Sequence, residues 1–206
     1  MALELIVNDG EALRQQLEPW RRIRSRSKGR SKADKESYCL RKYLLALHTR
    51  GAIGYPVKIR SSETPDFIVE YGASGLFGIE VTDATDPSDQ REMTLAARSN
   101  EKMYFEGQFG GHGPFVGDRP EELWKGYLRG AITRKSKLRY CVPRVNLVIY
   151  CNSNAGAHVG AGVAAGLLRE LVNLPELGRF ADVSVIRNNS VYLDIGNSMK
   201  FIERIE

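Results

Sequence analysis

The sequence predicts an α/β (α+β) protein in which a central mixed β-sheet is flanked by helices, in the order helix, three strands, helix, strand, helix and further strands. Two short apolar runs joined by glycine and serine predict a hairpin within residues 65–82. The continuous apolar run at 145–150 predicts a strand covered on both faces, as in parallel sheets. Apolar residues at helical spacing before and after the hairpin predict the flanking helices.

Residues 31–51 form the first predicted helix. Ser31 or Asp34 is expected to cap its start, and Gly51 to end it. Its buried face consists of apolar residues at helical spacing: Leu40, Tyr43, Leu44 and Leu47. Glu36 lies four residues before Leu40 and therefore heads the inward stripe, either as a functional acid or as a first-turn acid that complements the helix dipole.

The hairpin has one register that separates apolar from polar faces. If Tyr71 faces Gly75, Asp66 lies opposite Glu80. Side chains alternate along each strand. One face is then purely apolar, with Phe67, Val69, Phe77 and Ile79, and the other carries Asp66, Ile68, Gly78 and Glu80. A slip of one residue would mix the two faces, so the pattern favours the register that brings the acids together.

Two ionised carboxylates within roughly 5 Å repel each other unless a cation or a shared proton offsets the repulsion. Hard oxygen ligands without a nearby Cys or His suit Mg²⁺ or Mn²⁺. Asp66 and Glu80 are therefore candidate metal ligands. The alternative is that both are solvated residues at strand ends.

Residues 119–140 form the second predicted helix. Its apolar stripe consists of Trp124, Leu128, Ala131 and Leu138, with Tyr127 and Ile132 beside it. Lys135 lies on that stripe, three residues before Leu138, and shares its inward face. The alternative is a lysine that extends its ammonium past an apolar seam. Lys125, Arg129 and Lys137 fall on another face, which solvent or a phosphate backbone can reach.

The rest of the chain continues the pattern. A helix is predicted at 161–172, followed by a hairpin of strands 183–187 and 191–195. The insertion at 83–118 is harder to interpret: 89–100 is a candidate helix, and the glycine-rich 106–118 is either a flap over bound nucleic acid or a disordered excursion.

The sequence motif of the hairpin resembles that of a known protein family. Pro65-Asp66, an apolar strand, a turn and Gly78-Ile79-Glu80-Val81-Thr82 resemble the core of the PD-(D/E)XK, or restriction-endonuclease-like, nucleases. The resemblance covers about residues 31–155 and implies an αβββαβ core in which Asp66, Glu80 and the Val81 carbonyl bind a divalent metal ion. It also implies a lysine two residues after the glutamate, where this chain has Thr82, which cannot supply that positive charge.

Other parts of the chain can complete the implied site. Some branches of the superfamily take the lysine from the following helix, which makes Lys135 the substitute, with Thr82 orienting the water. Many members carry a glutamate on the first core helix that contacts the metal, and Glu36 is the candidate here.

Basic residues cluster in two stretches although the formal net charge is only +5. Residues 21–32 and 125–144 contain no acid. Such patches favour phosphate backbones, and the alternative is a solubilising face with a disordered linker. The candidate nucleic-acid contacts are Arg24, Arg26, Lys28, Arg30, Lys125, Arg129, Arg134 and Lys137.

With 206 residues, 42% of them hydrophobic, the chain can build one compact domain. We expect an N-terminal extension with a basic arm at 1–30 and a single domain at 31–206. Three cysteines without close spacing, and no membrane or secretory segment, favour a cytoplasmic protein.

These observations predict a Mg²⁺- or Mn²⁺-dependent nuclease, an endonuclease acting on DNA rather than RNA, with homodimerisation an option for cutting both strands. The alternative is a nuclease-like domain that has lost its chemistry and binds nucleic acid or protein.

Overall fold

A computed structural model describes residues 3–23, 30–72, 75–85, 119–151, 153–187, 190–195 and 199–202. The candidate helix 89–100 and the loop 106–118 lie outside these residues, as do Arg24, Arg26 and Lys28 of the basic arm.

The chain folds into a mixed α/β structure around one eight-stranded sheet whose strands are in sequence order. The strands are β1 (Glu4–Val7), β2 (Val57–Ser61), β3 (Phe67–Tyr71), β4 (Gly75–Asp83), β5 (Val145–Cys151), β6 (Asp182–Arg187), β7 (Ser190–Leu193) and β8 (Lys200–Ile202). The pairs β4–β5 and β5–β6 are parallel, and the other neighbours are antiparallel. The predicted mixed sheet is confirmed.

The helices are α1 (Gly10–Leu17), α2 (Lys32–Thr49), α3 (Pro120–Ser136), α4 (Asn154–His158) and α5 (Ala161–Glu170), with 3₁₀ turns at Glu18–Trp20, Leu171–Asn173 and Pro175–Arg179. The predicted helix 119–140 ends earlier than expected, at Ser136, so Leu138 follows the helix. None of the helices in the described residues combines the length and the hydrophobicity that a membrane span requires.

The ends of α2 form as the sequence predicts. Ser31 accepts a hydrogen bond from the Asp34 backbone N–H, and the Asp34 carboxylate accepts one from the Ser31 backbone N–H in return. This capping box satisfies two otherwise unpaired donors and fixes where the helix begins. At the other end the chain leaves the helix through Gly51, whose φ of 62° is a conformation that glycine adopts readily.

The β3–β4 hairpin has the predicted register, with Tyr71 opposite Gly75 and Phe67 opposite Ile79. The apolar face packs into a core on one side of the sheet, against α1 and α2. That core includes Phe67, Val69, Phe77, Ile79, Leu13 and Leu40. A second core lies on the other side, where β5 and β6 pack against α3 and α5; it includes Leu147, Val185, Trp124, Leu128 and Leu168.

Residues of the predicted N-terminal extension take part in the fold. Strand β1 pairs with β2, and Leu13 and Leu17 of α1 are fully buried in the core beneath α2. The beginning of the chain therefore extends the sheet by a strand.

Candidate active site

Asp66 and Glu80 lie next to each other across the hairpin. The register of β3 and β4 pairs Phe67 with Ile79, and one further step along both strands places Asp66 opposite Glu80. Only 6% of Asp66 and 3% of Glu80 is exposed to solvent. Buried carboxylates are uncommon unless they are paired or bind a cation, so this pair is a candidate functional site.

Just before β3, the Asp66 side chain takes the place of a backbone acceptor for a hydrogen bond from β4. Its Oδ2 accepts a hydrogen bond of 2.8 Å from the Val81 backbone N–H. The backbone N–H groups of Gly78 and Ala84 hydrogen bond on the side of β4 that faces β5. Backbone groups of successive residues in a strand point to alternate sides, so those of Val81 point towards β3. The residue opposite Val81 is Pro65, which has no N–H. The Val81 carbonyl therefore has no ladder donor across from it.

A glycine lets Pro65 approach β4. A Cβ at Gly78 would collide with the Pro65 ring and with Val142. Gly78 thus has a steric role: it allows the turn before Asp66 to lie directly on the neighbouring strand.

Lys135 reaches the buried Glu80 from α3. Its Nζ hydrogen bonds to Glu80 Oε1, while Glu80 Oε2 is buried without a hydrogen-bond partner. Tyr140 holds the end of this helix, because its hydroxyl donates to the Lys135 carbonyl at 2.9 Å. Burial raises the pKa of Glu80, the hydrogen bond from Lys135 opposes that rise, and the charge of Asp66 adds to it.

Glu36 approaches Asp66 from the α2 side of the sheet. Lys32, in the first turn of α2, has its Nζ 3.0 Å from Glu36 Oε1 and 3.4 Å from Asp66 Oδ1. Burial raises the pKa of Glu36, and the nearby charge of Asp66 raises it further. Lys32 therefore offsets the repulsion between two acids, although 75% of its own side chain is exposed.

Thr82 and Asp83 continue the row of paired polar residues along β4. Arg134 donates to Thr82 Oγ1 at 2.9 Å and to the Asp83 carbonyl at 3.4 Å. On the opposite face, Lys35 Nζ lies 2.7 Å from Asp83 Oδ2. Arg134, which the sequence suggested as a nucleic-acid contact, is engaged by the residue that replaces the expected lysine.

Several of these residues were missed by the sequence analysis: Lys32, Lys35, Asp83 and Tyr140. Lys32 had a recognisable signal, because it lies four residues before Glu36 on one helix. The positions of Lys35 and Asp83 depend on how α2 packs on the sheet, and nothing in their spacing reveals that.

The remaining candidate nucleic-acid contacts are distributed over α3 and its surroundings. Arg129 and Lys137 are exposed, as predicted for a solvent-facing side of the helix. Lys125 forms an ion pair with Glu170 of α5. Arg30 is partly buried and interacts with other residues, so it is not a free surface cation.

The donor chemistry is compatible with a hard divalent cation. The Asp66 and Glu80 carboxylates and the Val81 carbonyl are oxygen donors, and the buried Glu80 Oε2 lacks a hydrogen-bond partner. Within the part of the chain that the structure describes, no group of three or more His, Cys, Asp or Glu side chains forms a ready metal cage. The residues thus fit an ion that keeps several of its own waters, as Mg²⁺ commonly does.

Lysines now lie on the oxygen atoms that such an ion would use. Lys135 contacts Glu80, and Lys32 contacts Asp66.

No protein-family model, no curated protein and no solved structure matches the chain.

Proposed function

We propose that this protein is a metal-dependent nuclease with a restriction-endonuclease-like core, which hydrolyses phosphodiester bonds of nucleic acid, DNA in preference to RNA. The order α2, β2, β3, β4, α3, β5 supports the core assignment, since it is the αβββαβ order that the motif resemblance implies. The proposal does not depend on the element order alone, because one fold hosts many functions.

The observation that supports the proposal most is the meeting of Asp66, Glu80 and Lys135 at the start of the hairpin. Two buried acids from adjacent strands come together, and a lysine from the next helix contacts one of them. A purely structural ion pair would need only one acid. The second acid, and the Val81 carbonyl without a ladder donor, favour a site for a cation.

Each residue has a role that follows from its position. Asp66, Glu80 and the Val81 carbonyl would hold the divalent ion, with Glu36 assisting from α2. When bound, the ion supplies a water of lowered pKa and offsets negative charge on the phosphate. Lys135, which contacts Glu80, would add a positive charge at the same acids, where the phosphate gains negative charge during hydrolysis. Thr82, whose Oγ1 accepts a hydrogen bond from Arg134, would offer its hydroxyl to the attacking water.

The same helix that supplies Lys135 also offers cations to a nucleic-acid backbone. Arg129 is exposed on α3, and Lys137 is exposed directly after the end of that helix. A strand that lies across the C-terminal part of α3 would bring a phosphate to the buried acids. Contacts of this kind position the nucleic acid without reading its sequence.

A second function is favoured by a specific observation. The lysines Lys32 and Lys135 already neutralise the buried acids, and Thr82 replaces the expected lysine. A domain with this arrangement could bind nucleic acid without cutting it. The two functions differ in one measurable respect, which is metal-dependent cleavage.

The deciding experiment incubates purified protein with plasmid, linear DNA, single-stranded DNA and RNA, each with Mg²⁺, Mn²⁺ or EDTA. We expect cleavage with the metal ions and none with EDTA. If the Glu80→Gln variant cleaves as well as wild type, the activity comes from a contaminating nuclease. Binding of all substrates without cleavage of any would reject the nuclease and leave the binding module.

A further inference from the structure

Arg41, in the middle of α2, is a buried arginine with unsatisfied hydrogen-bond donors. Only 2% of the residue is exposed, yet its Nε and Nη1 atoms are buried without a hydrogen-bond partner. Within the described residues, its Nη2 lies 3.5 Å from Glu18 Oε2, which is a long contact. Burial lowers the pKa of Arg41, and Glu18 only partly opposes this. A buried guanidinium whose N–H groups lack acceptors is energetically unfavourable, and a bound anion would supply both the missing acceptors and the opposite charge.

Other arginines surround the same glutamate. Arg21 Nη1 lies 3.3 Å from Glu18 Oε1, so Glu18 is shared between Arg21 and Arg41. Arg22 lines a surface depression together with Glu18, Pro19 and Arg21. We call Glu18, Arg21, Arg22 and Arg41 the Arg41 cluster. It contains three arginines and one carboxylate, and that carboxylate is 54% exposed and can turn towards solvent.

The cluster is separate from the candidate active site. Arg41 follows Glu36 by five residues, which turns it about 140° around the helix axis from Glu36. Its neighbours are Glu18 of the 3₁₀ turn after α1 and Tyr38, whose pKa is raised by burial against the opposing charge of Arg41. None of the roles assigned to Asp66, Glu80 or Lys135 uses it.

We propose that the Arg41 cluster is a phosphate-binding site, in which an oxyanion displaces Glu18 and accepts hydrogen bonds from the unpaired N–H groups of Arg41. Arginine suits this role because its planar fork can donate two parallel hydrogen bonds to two oxygens of one phosphate. Arg21 and Arg22 would supply further charge from the rim. The phosphate can belong to a nucleic-acid backbone or to a free phosphate ion, and the inference does not require the protein to cut nucleic acid.

The test measures binding of two probes in EDTA at fixed ionic strength. Calorimetry follows inorganic phosphate, and fluorescence anisotropy follows a labelled single-stranded DNA oligonucleotide. Arg41→Met removes the guanidinium but keeps an apolar stem for the helix. The matched control is Arg60→Met on β2, since Arg60 is a half-exposed arginine that pairs with Glu70.

We expect Arg41→Met to weaken phosphate binding about tenfold relative to Arg60→Met, the scale of losing hydrogen bonds to a charged group. Glu18→Gln should strengthen it, because the competing carboxylate is removed. A matching loss of oligonucleotide affinity would identify the ligand as a nucleic-acid backbone, and a loss confined to inorganic phosphate would identify it as free phosphate. If Arg41→Met and Arg60→Met bind both probes equally, the inference is wrong.

Two further variants keep the result interpretable. If Arg41→Met fails to fold, as judged by circular dichroism, the exposed pair Arg21→Gln/Arg22→Gln takes its place with the same expectation. Lys58→Ala on β2, which loses a lysine paired with Glu4 away from both sites, should bind phosphate like wild type. If the protein binds phosphate through Arg41 but never cuts nucleic acid, the proposed nuclease function is wrong and the phosphate site stands. If the protein cuts nucleic acid and Arg41→Met binds phosphate like wild type, the nuclease function stands and the phosphate site is wrong.

Discussion

The backbone N–H of Val81 donates to the side chain of Asp66 across the end of the hairpin, at 2.8 Å. In a regular ladder this N–H would bond to a backbone carbonyl of the neighbouring strand, but here the acid accepts it. The bond fixes one oxygen of Asp66 against β4 and leaves Oδ1 directed to Lys32, 3.4 Å away. One carboxylate therefore serves both the sheet and the candidate site.

This double role leads to the first prediction. Asp66→Ala should abolish Mg²⁺-dependent cleavage, with a loss of at least about a hundredfold, because a metal ligand is removed. It should also lower the free energy of unfolding by about 1–3 kcal/mol, because the buried Val81 N–H loses its acceptor. Asp66→Asn should recover much of the stability but not the activity, since an amide oxygen can still accept the bond.

Cleavage rates and denaturant unfolding of the same preparations check this prediction. Glu70→Gln is the control, because Glu70 is an exposed acid on β3, the strand that Asp66 directly precedes. DNA binding in EDTA should be similar for all these variants. An Asp66→Ala protein that cuts at the wild-type rate would remove Asp66 from the mechanism.

The second prediction concerns Lys135. Lys135→Ala should slow cleavage about a hundredfold, the scale of removing one group that stabilises charge in a transition state. It should also destabilise the metal-free protein, because Glu80 is left buried without its partner. Mg²⁺ should restore much of the lost stability, since the ion replaces the missing positive charge.

Thermal unfolding with Mg²⁺ and with EDTA measures that rescue. Arg129→Ala is the matched control on the same helix, where the side chain is exposed. A Lys135→Ala protein whose melting temperature does not respond to Mg²⁺ any more than that of Arg129→Ala would show that no ion binds beside Glu80.

The third prediction concerns Lys32, whose ammonium contacts Asp66 and Glu36. A metal ion at Asp66 must compete with this ammonium. Lys32→Ala should therefore strengthen Mn²⁺ binding, by up to about fivefold because Lys32 is largely exposed and such pairs contribute at most about 1 kcal/mol. Electron paramagnetic resonance of free Mn²⁺ measures the affinity directly.

Lys58→Ala provides the control for long-range charge, since Lys58 pairs with Glu4 on an edge strand. Equal Mn²⁺ affinities for the two variants would mean that Lys32 does not compete for the site. Weaker binding by Lys32→Ala would mean that the lysine supports the acids rather than blocking them.

Local patterns predicted much of what positions this site. The apolar alternation of the hairpin selects one register because a buried sheet face tolerates no slip, and that register pairs Asp66 with Glu80. The helical spacing of Lys135 with Leu128 likewise predicts which side of α3 faces the sheet, and Lys135 reaches Glu80. These are short-range relationships, which periodicity encodes.

The features that were not predicted depend on tertiary packing. Strand β1 is only four residues long, and its partner β2 lies about fifty residues later in the chain. The pairs Lys35–Asp83 and Arg134–Thr82 join a helix to a strand more than forty residues away. No local pattern specifies such contacts, because they follow from how each helix lies on the sheet.

The fourth prediction follows from the burial of Glu80, which raises its pKa above the ordinary value of 4.5. Between the ordinary and the raised pKa, the folded protein holds a proton that the unfolded chain has released, so stability falls as pH rises through this window. Glu80→Gln imitates the protonated acid at every pH. It should therefore be more stable than wild type at neutral pH in EDTA, and the difference should shrink as the pH approaches 4.5.

Denaturant unfolding in EDTA between about pH 4 and pH 8 measures this difference. Glu70→Gln, at an exposed position, should track wild type throughout. Mg²⁺ should stabilise wild type but not Glu80→Gln, which has lost the charge that attracts the ion. A Glu80→Gln protein that is less stable than wild type at neutral pH would show that the ion pair with Lys135 outweighs the cost of burying Glu80, and the site would then be structural rather than poised for a metal.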